Sequence, residues 1–177
     1  RDIRWRDGIA LVSPPLALVD FAVSASSREL RFAFLEGCRL KLINEHDIEH
    51  GFNLVVRRRG AKKLRPLLAL WVPELNRIRS VLEGLFLLAW VARGYPMPLV
   101  NVRIHGKEVD FYWPNKRFVL ETDGSSFHSD PIQKAIDFAK QKLLESRGET
   151  LIRMTYRQFE DDPSAQVHRV ASQLGYA

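Results

Sequence analysis

The stretch EVDFYWPNKRFVLETDG constrains this chain more than any other, because bulky apolar residues alternate with carboxylates through it. Successive side chains on a strand point to opposite faces. Residues 108–113 therefore predict a strand with Val109, Phe111 and Trp113 on one face and Glu108, Asp110 and Tyr112 on the other. Pro114 and Asn115 break it, and a strand over 117–123 follows, with Phe118 and Leu120 opposed to Val119, Glu121 and Asp123. Asp110, Glu121 and Asp123 are thus expected on one side of a sheet.

The flanking sequence supplies helices to cover such a sheet. Residues 75–93 predict a long helix presenting Ile78, Leu82, Leu85, Phe86, Ala89 and Trp90 inward, with Glu83 beside the stripe and Gly94 as terminator. Val100, Val102 and Ile104 alternate as a strand, and His105-Gly106-Lys107 is a tight-turn signal that closes a hairpin. Past a loop, Asp130 caps and Pro131 starts a helix to Arg147 that carries Ile132, Ile136, Ala139 and Leu143 until Gly148 stops it. A strand over 150–155 and a helix from Pro163 burying Val167, Val170 and Leu174 complete the order. Strands on either side of a helical crossover normally run parallel, so residues 73–177 predict an α/β sandwich with a small mixed sheet flanked by helices.

Residues 1–72 read differently, as a basic helical subdomain. They hold 13 Lys and Arg against 8 Asp and Glu, whereas 73–177 hold 14 against 13, so nearly all of the net +6 lies in the first part. Beyond a strand near Ile9 to Val12 the pattern is helical: Pro14 and Pro15 start one helix, and Ser26 or Ser27 caps a second that carries Leu30, Phe34, Leu35 and Cys38. Arg57, Arg58, Arg59, Lys62, Lys63 and Arg65 surround Gly60 ahead of a helix over 61–70, with Pro73 at the boundary. Such a cluster is either a solvated basic loop or a surface that meets phosphates, where cations release condensed counterions.

The longest apolar run, 85–92, is far shorter than the ~20 residues of a membrane-spanning helix. No secretory leader opens the chain, which begins at Arg1 and is expected to be a piece of something longer. A single cysteine, Cys38, makes neither an internal disulfide nor a cysteine-based zinc site, and fits the cytoplasm.

Carboxylates alone repel a phosphodiester, so Asp110, Glu121 and Asp123 make chemical sense together only with a divalent cation. Oxygen ligands suit magnesium or manganese. Glu121 and Asp123 are two apart on a strand, which brings the Thr122 carbonyl within range of a shared ion, although this spacing also occurs in ordinary surface strands. Gly124-Ser125-Ser126-Phe127-His128 follows, so a flexible turn can swing His128 toward the strand end as general acid or base.

The ordered set of Val-Asp-Phe, Glu-x-Asp-Gly, His128 and Asp137, followed by Arg147-Gly148 and LIRMTYRQF, resembles the nuclease-like domain of very-short-patch-repair endonucleases, in the PD-(D/E)XK superfamily. The resemblance spans about residues 74–174. It implies a restriction-endonuclease-like fold and DNA as substrate, with Asp110 as central metal ligand and Glu121 and Asp123 at the acidic strand end. It further implies His128 as acid or base, Asp137 as supporting carboxylate with Gln133 as polar support, and Glu83 as accessory acid. Lys140, on the same helix as Asp137, joins Arg57, Arg58, Arg59, Lys62 and Lys63 as a residue expected to meet nucleic acid. Asp123 stands where the superfamily usually has lysine, and Phe138, Ala139 and Gln141 replace charged residues common in relatives. Residues 9–70 are similar to the helical region of AbiEi-type antitoxin proteins, in which a winged helix normally precedes it. Two expectations follow: a magnesium-dependent DNA endonuclease or nickase, or a non-catalytic antitoxin-like or regulatory DNA-binding protein with a cognate toxin as a further partner.

Overall fold

His105 (φ 49) and Gly106 (φ 77) both take positive φ, the geometry of the two-residue turn that matches strand twist, and between them close a hairpin of β3 (Leu99–Ile104) and β4 (Lys107–Trp113). The computed structural model that contains it describes residues 3–55, 57–123 and 131–177. β5 (Phe118–Asp123) pairs antiparallel with β4, and β6 (Thr150–Thr155) pairs parallel with β5, giving a four-stranded mixed sheet in the order β3-β4-β5-β6. The chain divides into two units, Arg1–Arg77 and Ile78–Ala177, and this sheet belongs to the second.

Register places the core. Phe111 opposes Leu120 and Tyr112 opposes Val119, so Phe111 and Leu120 share one face and Tyr112 and Val119 the other. On the first face α4 (Val81–Val91) packs its aromatic rings, with Phe86 on Phe111 at 5.0 Å and Trp90 on Trp113 at 5.1 Å between centroids. The Trp90 and Trp113 indoles both donate to the Pro96 carbonyl, at 3.0 and 3.2 Å, so neither is buried unpaired. The second face meets α5 (Pro131–Ser146) through Leu144, which clusters with Val109 and Val119. α6 (Tyr156–Asp161) and α7 (Pro163–Leu174) follow β6, and α7 buries Val167, Val170 and Leu174. No helix among the described residues is long and apolar enough to cross a membrane.

The first unit holds an antiparallel hairpin of β1 (Ile3–Arg6) and β2 (Ile9–Val12), then α1 (Pro14–Ser24), α2 (Ser27–Arg39) and α3 (Ala61–Leu68). Ser26 caps α2 in a reciprocal box with Glu29. Gly60 lies against the carbonyl of Val19, so that a Cβ there would sit 1.8 Å from the oxygen.

Four expectations need correction. β1, Ile3–Arg6, lies outside the one strand expected near Ile9 to Val12, although its four residues alternate apolar and basic, and it pairs antiparallel with β2. The long helix over 75–93 is instead a 3-10 turn, Pro73–Asn76, followed by α4, because the Ser80 hydroxyl accepts the Glu83 amide and starts the helix there. Val109 leaves the face of Phe111 and joins Val119, because pairing lapses at Asn101, whose φ of 49 interrupts the ladder opposite Asp110. On α5, Ile132 and Ile136 are 70% and 52% exposed, and Ala139 is exposed too. The better-covered positions are Asp137, Lys140, Gln141, Leu143 and Leu144, so Leu143 keeps its expected cover while the middle of the helix turns polar side chains toward the sheet.

Gly60→Ala should destabilise the first unit by about 1–3 kcal/mol or more, since the new methyl can be relieved only by moving α1 backbone. Hydrogen exchange should show the loss in the amides of α1 and α3, and an unchanged exchange pattern there would refute the close approach.

Candidate functional site

Ladder pairing between β4 and β5 ends at Phe111 and Leu120. One residue further, the Asp110 carboxylate reaches across: Oδ2 accepts the Thr122 N–H at 2.7 Å and the Thr122 hydroxyl at 2.8 Å. A side-chain carboxylate thus serves an amide that a sheet would normally pair with a carbonyl. Glu121 and Asp123 lie at the carboxyl end of β5, opposite Arg153 and Thr155 of the parallel strand β6.

Glu121 is buried, and two cations hold it. The Lys140 ammonium, delivered by α5 on a side chain only 22% exposed, forms an ion pair with Oε1, and Arg153 Nε stands 3.7 Å from Oε2. Arg153 also donates through Nη2 to the Asp137 carbonyl at 3.4 Å, while its Nε is buried without a hydrogen-bond partner. Asp137 is steadied by Gln133, whose amide donates to Oδ1 at 2.9 Å. From α4, Glu83 is buried and its Oε2 accepts the Arg79 amide at 2.9 Å and the Asn101 amide at 2.6 Å.

Burial pushes the proton affinity of Glu83, Glu121 and Asp123 above the usual carboxylate range. For Glu83 the hydrogen bond from Arg79 opposes burial and the charge of Asp110 reinforces it. For Glu121, Lys140 opposes and Asp110 reinforces. For Asp123, Arg153 opposes, while Asp110 and Asp137 reinforce. The charge of Asp110 therefore reaches all three.

Of the residues singled out from sequence, Asp110, Glu121, Asp123, Asp137 and Glu83 share this electrostatic neighbourhood. Thr122 enters through its amide and hydroxyl. Lys140 sits on Glu121. His128, within residues 124–130, and the capping Asp130 lie outside the described residues. Arg57, Arg58, Arg59, Lys62 and Lys63 belong to the first unit and are exposed. There Arg58 pairs with Asp20 at 3.2 Å and the Lys63 ammonium donates to the Ala25 carbonyl.

Sequence reasoning missed Arg153 and Asn101. An arginine inside the largely apolar strand LIRMT was the available signal for the first. Asn101 gave none, because its role depends on a positive φ.

Among the described residues no group of three or more His, Cys, Asp or Glu side chains is gathered to hold a metal ion. The chemistry of the donors, carboxylate oxygen throughout, is that of magnesium or manganese. Such an ion would share Glu121 with Lys140 and Arg153.

Two curated proteins of Mycobacterium tuberculosis are similar to the chain: "Uncharacterized protein MT2308" of strain CDC 1551 / Oshkosh and "Uncharacterized protein Rv2248" of strain ATCC 25618 / H37Rv. Each is 25% identical over 130 residues, covering 71% of this chain. The chain spans about half the length of these relatives, 48% in both. No family model matches, and no solved structure matches.

A carboxylate whose native proton affinity is raised favours folding while protonated in both states. As pH climbs, the unfolded chain ionises first, and the contribution is lost through the raised native value. Asp123→Asn should therefore melt higher than wild type at about pH 8, with the gap closing toward about pH 4, near the ordinary aspartate value. Melts followed by circular dichroism across that range check the sign, and a variant less stable than wild type at the alkaline end would contradict it.

Proposed function

We propose that residues 78–177 form a restriction-endonuclease-like domain of the very-short-patch-repair type, which hydrolyses phosphodiester bonds in DNA. The observation that carries this reading is the opened end of β4 and β5, where Asp110 faces Thr122 and its charge reaches Glu121, Asp123 and Glu83. Acids with displaced proton affinities gather at functional sites more than elsewhere.

Asp110, Glu121, Asp123 and the Thr122 carbonyl would hold magnesium or manganese, which when bound supplies charge neutralisation at the phosphate and an acidified water. Asp110 is kept in one orientation by its two bonds from Thr122. Asp137, fixed by Gln133, supports the same edge, Arg153 fixes Glu121, and Glu83 anchors Asn101 at the lapse in the ladder. His128 is proposed to take the proton from the attacking water or give one to the leaving oxygen. The exposed cations Arg57, Arg59 and Lys62 are proposed to meet the phosphate backbone.

One observation favours a second reading. Lys140 and Arg153 already neutralise Glu121, as they would in a DNA-binding protein, antitoxin-like and with a toxin as partner, that keeps the fold without cutting. Cleavage separates the two. Asp110→Asn preserves an acceptor for Thr122, so it should fold and yet lose cleavage of supercoiled, mismatched or single-stranded DNA in magnesium or manganese. His128→Ala should slow cleavage about 100-fold while affinity and melting temperature hold. A wild-type chain that binds these DNAs without cutting any establishes the second reading.

The basic segment gives its own measurement. Arg57→Ala with Arg59→Ala should flatten the slope of log affinity against log salt by about 2, one for each phosphate no longer neutralised. Adding Arg58→Ala should change it less, because Asp20 already takes that charge. A slope unmoved by the double variant would leave the segment a solvated loop.

A further inference from the structure

We propose that Lys140 is a catalytic residue of this site: its ammonium, carried in by α5 and parked on Glu121, donates to the scissile phosphate as that group accumulates charge. The inference rests on the nuclease reading and adds a cationic component drawn from the helix. The charge of Asp110 acts on Glu83, Glu121 and Asp123, and that of Asp137 on Asp123, and such a gathering of carboxylates repels a phosphodiester. Lys140 and Arg153 are the cations among the described residues that act on Glu121 and Asp123. They are not equivalent.

Arg153 is built into β6, and its guanidinium also bonds the Asp137 carbonyl, so it positions Glu121. Lys140 ends a flexible four-carbon stem with three donors, and can keep one bond to Glu121 while offering another outward. Its covered position also needs a cause, since lysines are rarely drawn inward without one. The helix exposes Ile132 and Ile136 while turning Lys140 and Asp137 toward the sheet, an inversion that apolar burial alone opposes.

In the step proposed, a water oxygen bonds to phosphorus as the bond from phosphorus to the leaving sugar oxygen breaks. The water gives up one proton and the leaving oxygen gains one, so that one water is consumed. Charge building on a non-bridging oxygen is met by the Lys140 ammonium, which keeps its protons throughout.

The test compares wild type, Lys140→Met, Lys140→Arg and the exposed control Lys134→Met on supercoiled plasmid and a mismatched duplex with manganese. DNA affinity in EDTA and melting temperature are read alongside. Loss of one donor of this kind typically costs about 100-fold or more in rate. Lys140→Met should lose that much with affinity and melting temperature unchanged, Lys140→Arg should recover part of it, and Lys134→Met should cut like wild type. Wild-type cutting by Lys140→Met overturns the inference and leaves the nuclease reading standing. So does a loss shared equally by the Arg variant and matched by lower melting temperature, which marks a structural pair. If wild type cuts nothing, both fall together. Should Lys140→Met fail to fold, Lys140→Gln replaces it under the same criteria.

Discussion

The Asp110 carboxylate stands in for a backbone partner of Thr122, and the arrangement of the second unit around its site depends on that exchange. Two bonds to a charged acceptor, each worth more than a neutral bond, hold β5 to β4 at the point where regular pairing has stopped. On the other flank of β4 the same residue faces Asn101, whose positive φ lets the neighbouring strand lapse as well. Asp110 thus lies in β4 where the ladder to β3 is interrupted and the ladder to β5 has ended, with its carboxylate bonded to Thr122. Glu83 reaches that point from α4 through Asn101, and Glu121 meets Lys140 from α5. Both helical layers therefore contribute to one edge.

How much of this was legible follows from which forces the sequence records. Alternation in residues 108–123 located β4, β5 and the acids on them, because burial on a pleated strand leaves a period of two. The turn at His105 and Gly106, the stop at Gly148 and the parallel placement of β6 were equally readable, each set by local stereochemistry or chain connection. The face of α5 was not. Ile132, Ile136 and Ala139 make the better apolar stripe, yet Asp137 and Lys140 turn inward, because the surface awaiting that helix carries Glu121 and Arg153. Periodicity reports burial of apolar area and is blind to a partner surface that is charged. Val109 escaped for a related reason: its departure from the face of Phe111 follows from Asn101, a residue with no signature of its own.

The directions of the proton affinities show which forces dominate in the cluster. A nearby guanidinium or ammonium pulls a carboxylate below its ordinary range, and burial pushes it above. Here Glu121 lies above that range although Lys140 and Arg153 both flank it, and Asp123 lies above it despite Arg153. Burial and mutual repulsion outweigh the cations. Such an arrangement costs stability, and replacing buried charges with apolar groups is often neutral or stabilising.

The first unit bears on whether the basic segment is more than a solvated loop. Gly60 presses its backbone onto the Val19 carbonyl at the centre of the segment, Arg58 is tied to Asp20, and Lys63 to the Ala25 carbonyl at the end of α1. These ties fix both flanks of the cluster against one helix, so Arg57, Arg59 and Lys62 project from a set backbone. Side chains already mounted on an ordered scaffold lose less entropy when they meet a partner than the same residues in a loose loop. The duplex backbone offers a regular line of charge, and a fixed array of cations can match several phosphates at once where a fluctuating one would match them singly. Fixation of this kind does nothing for solubility, which any exposed arginine would serve. The same ties hold the backbone of the segment against α1 at the close approach of Gly60 to Val19, as a purely structural role would also require.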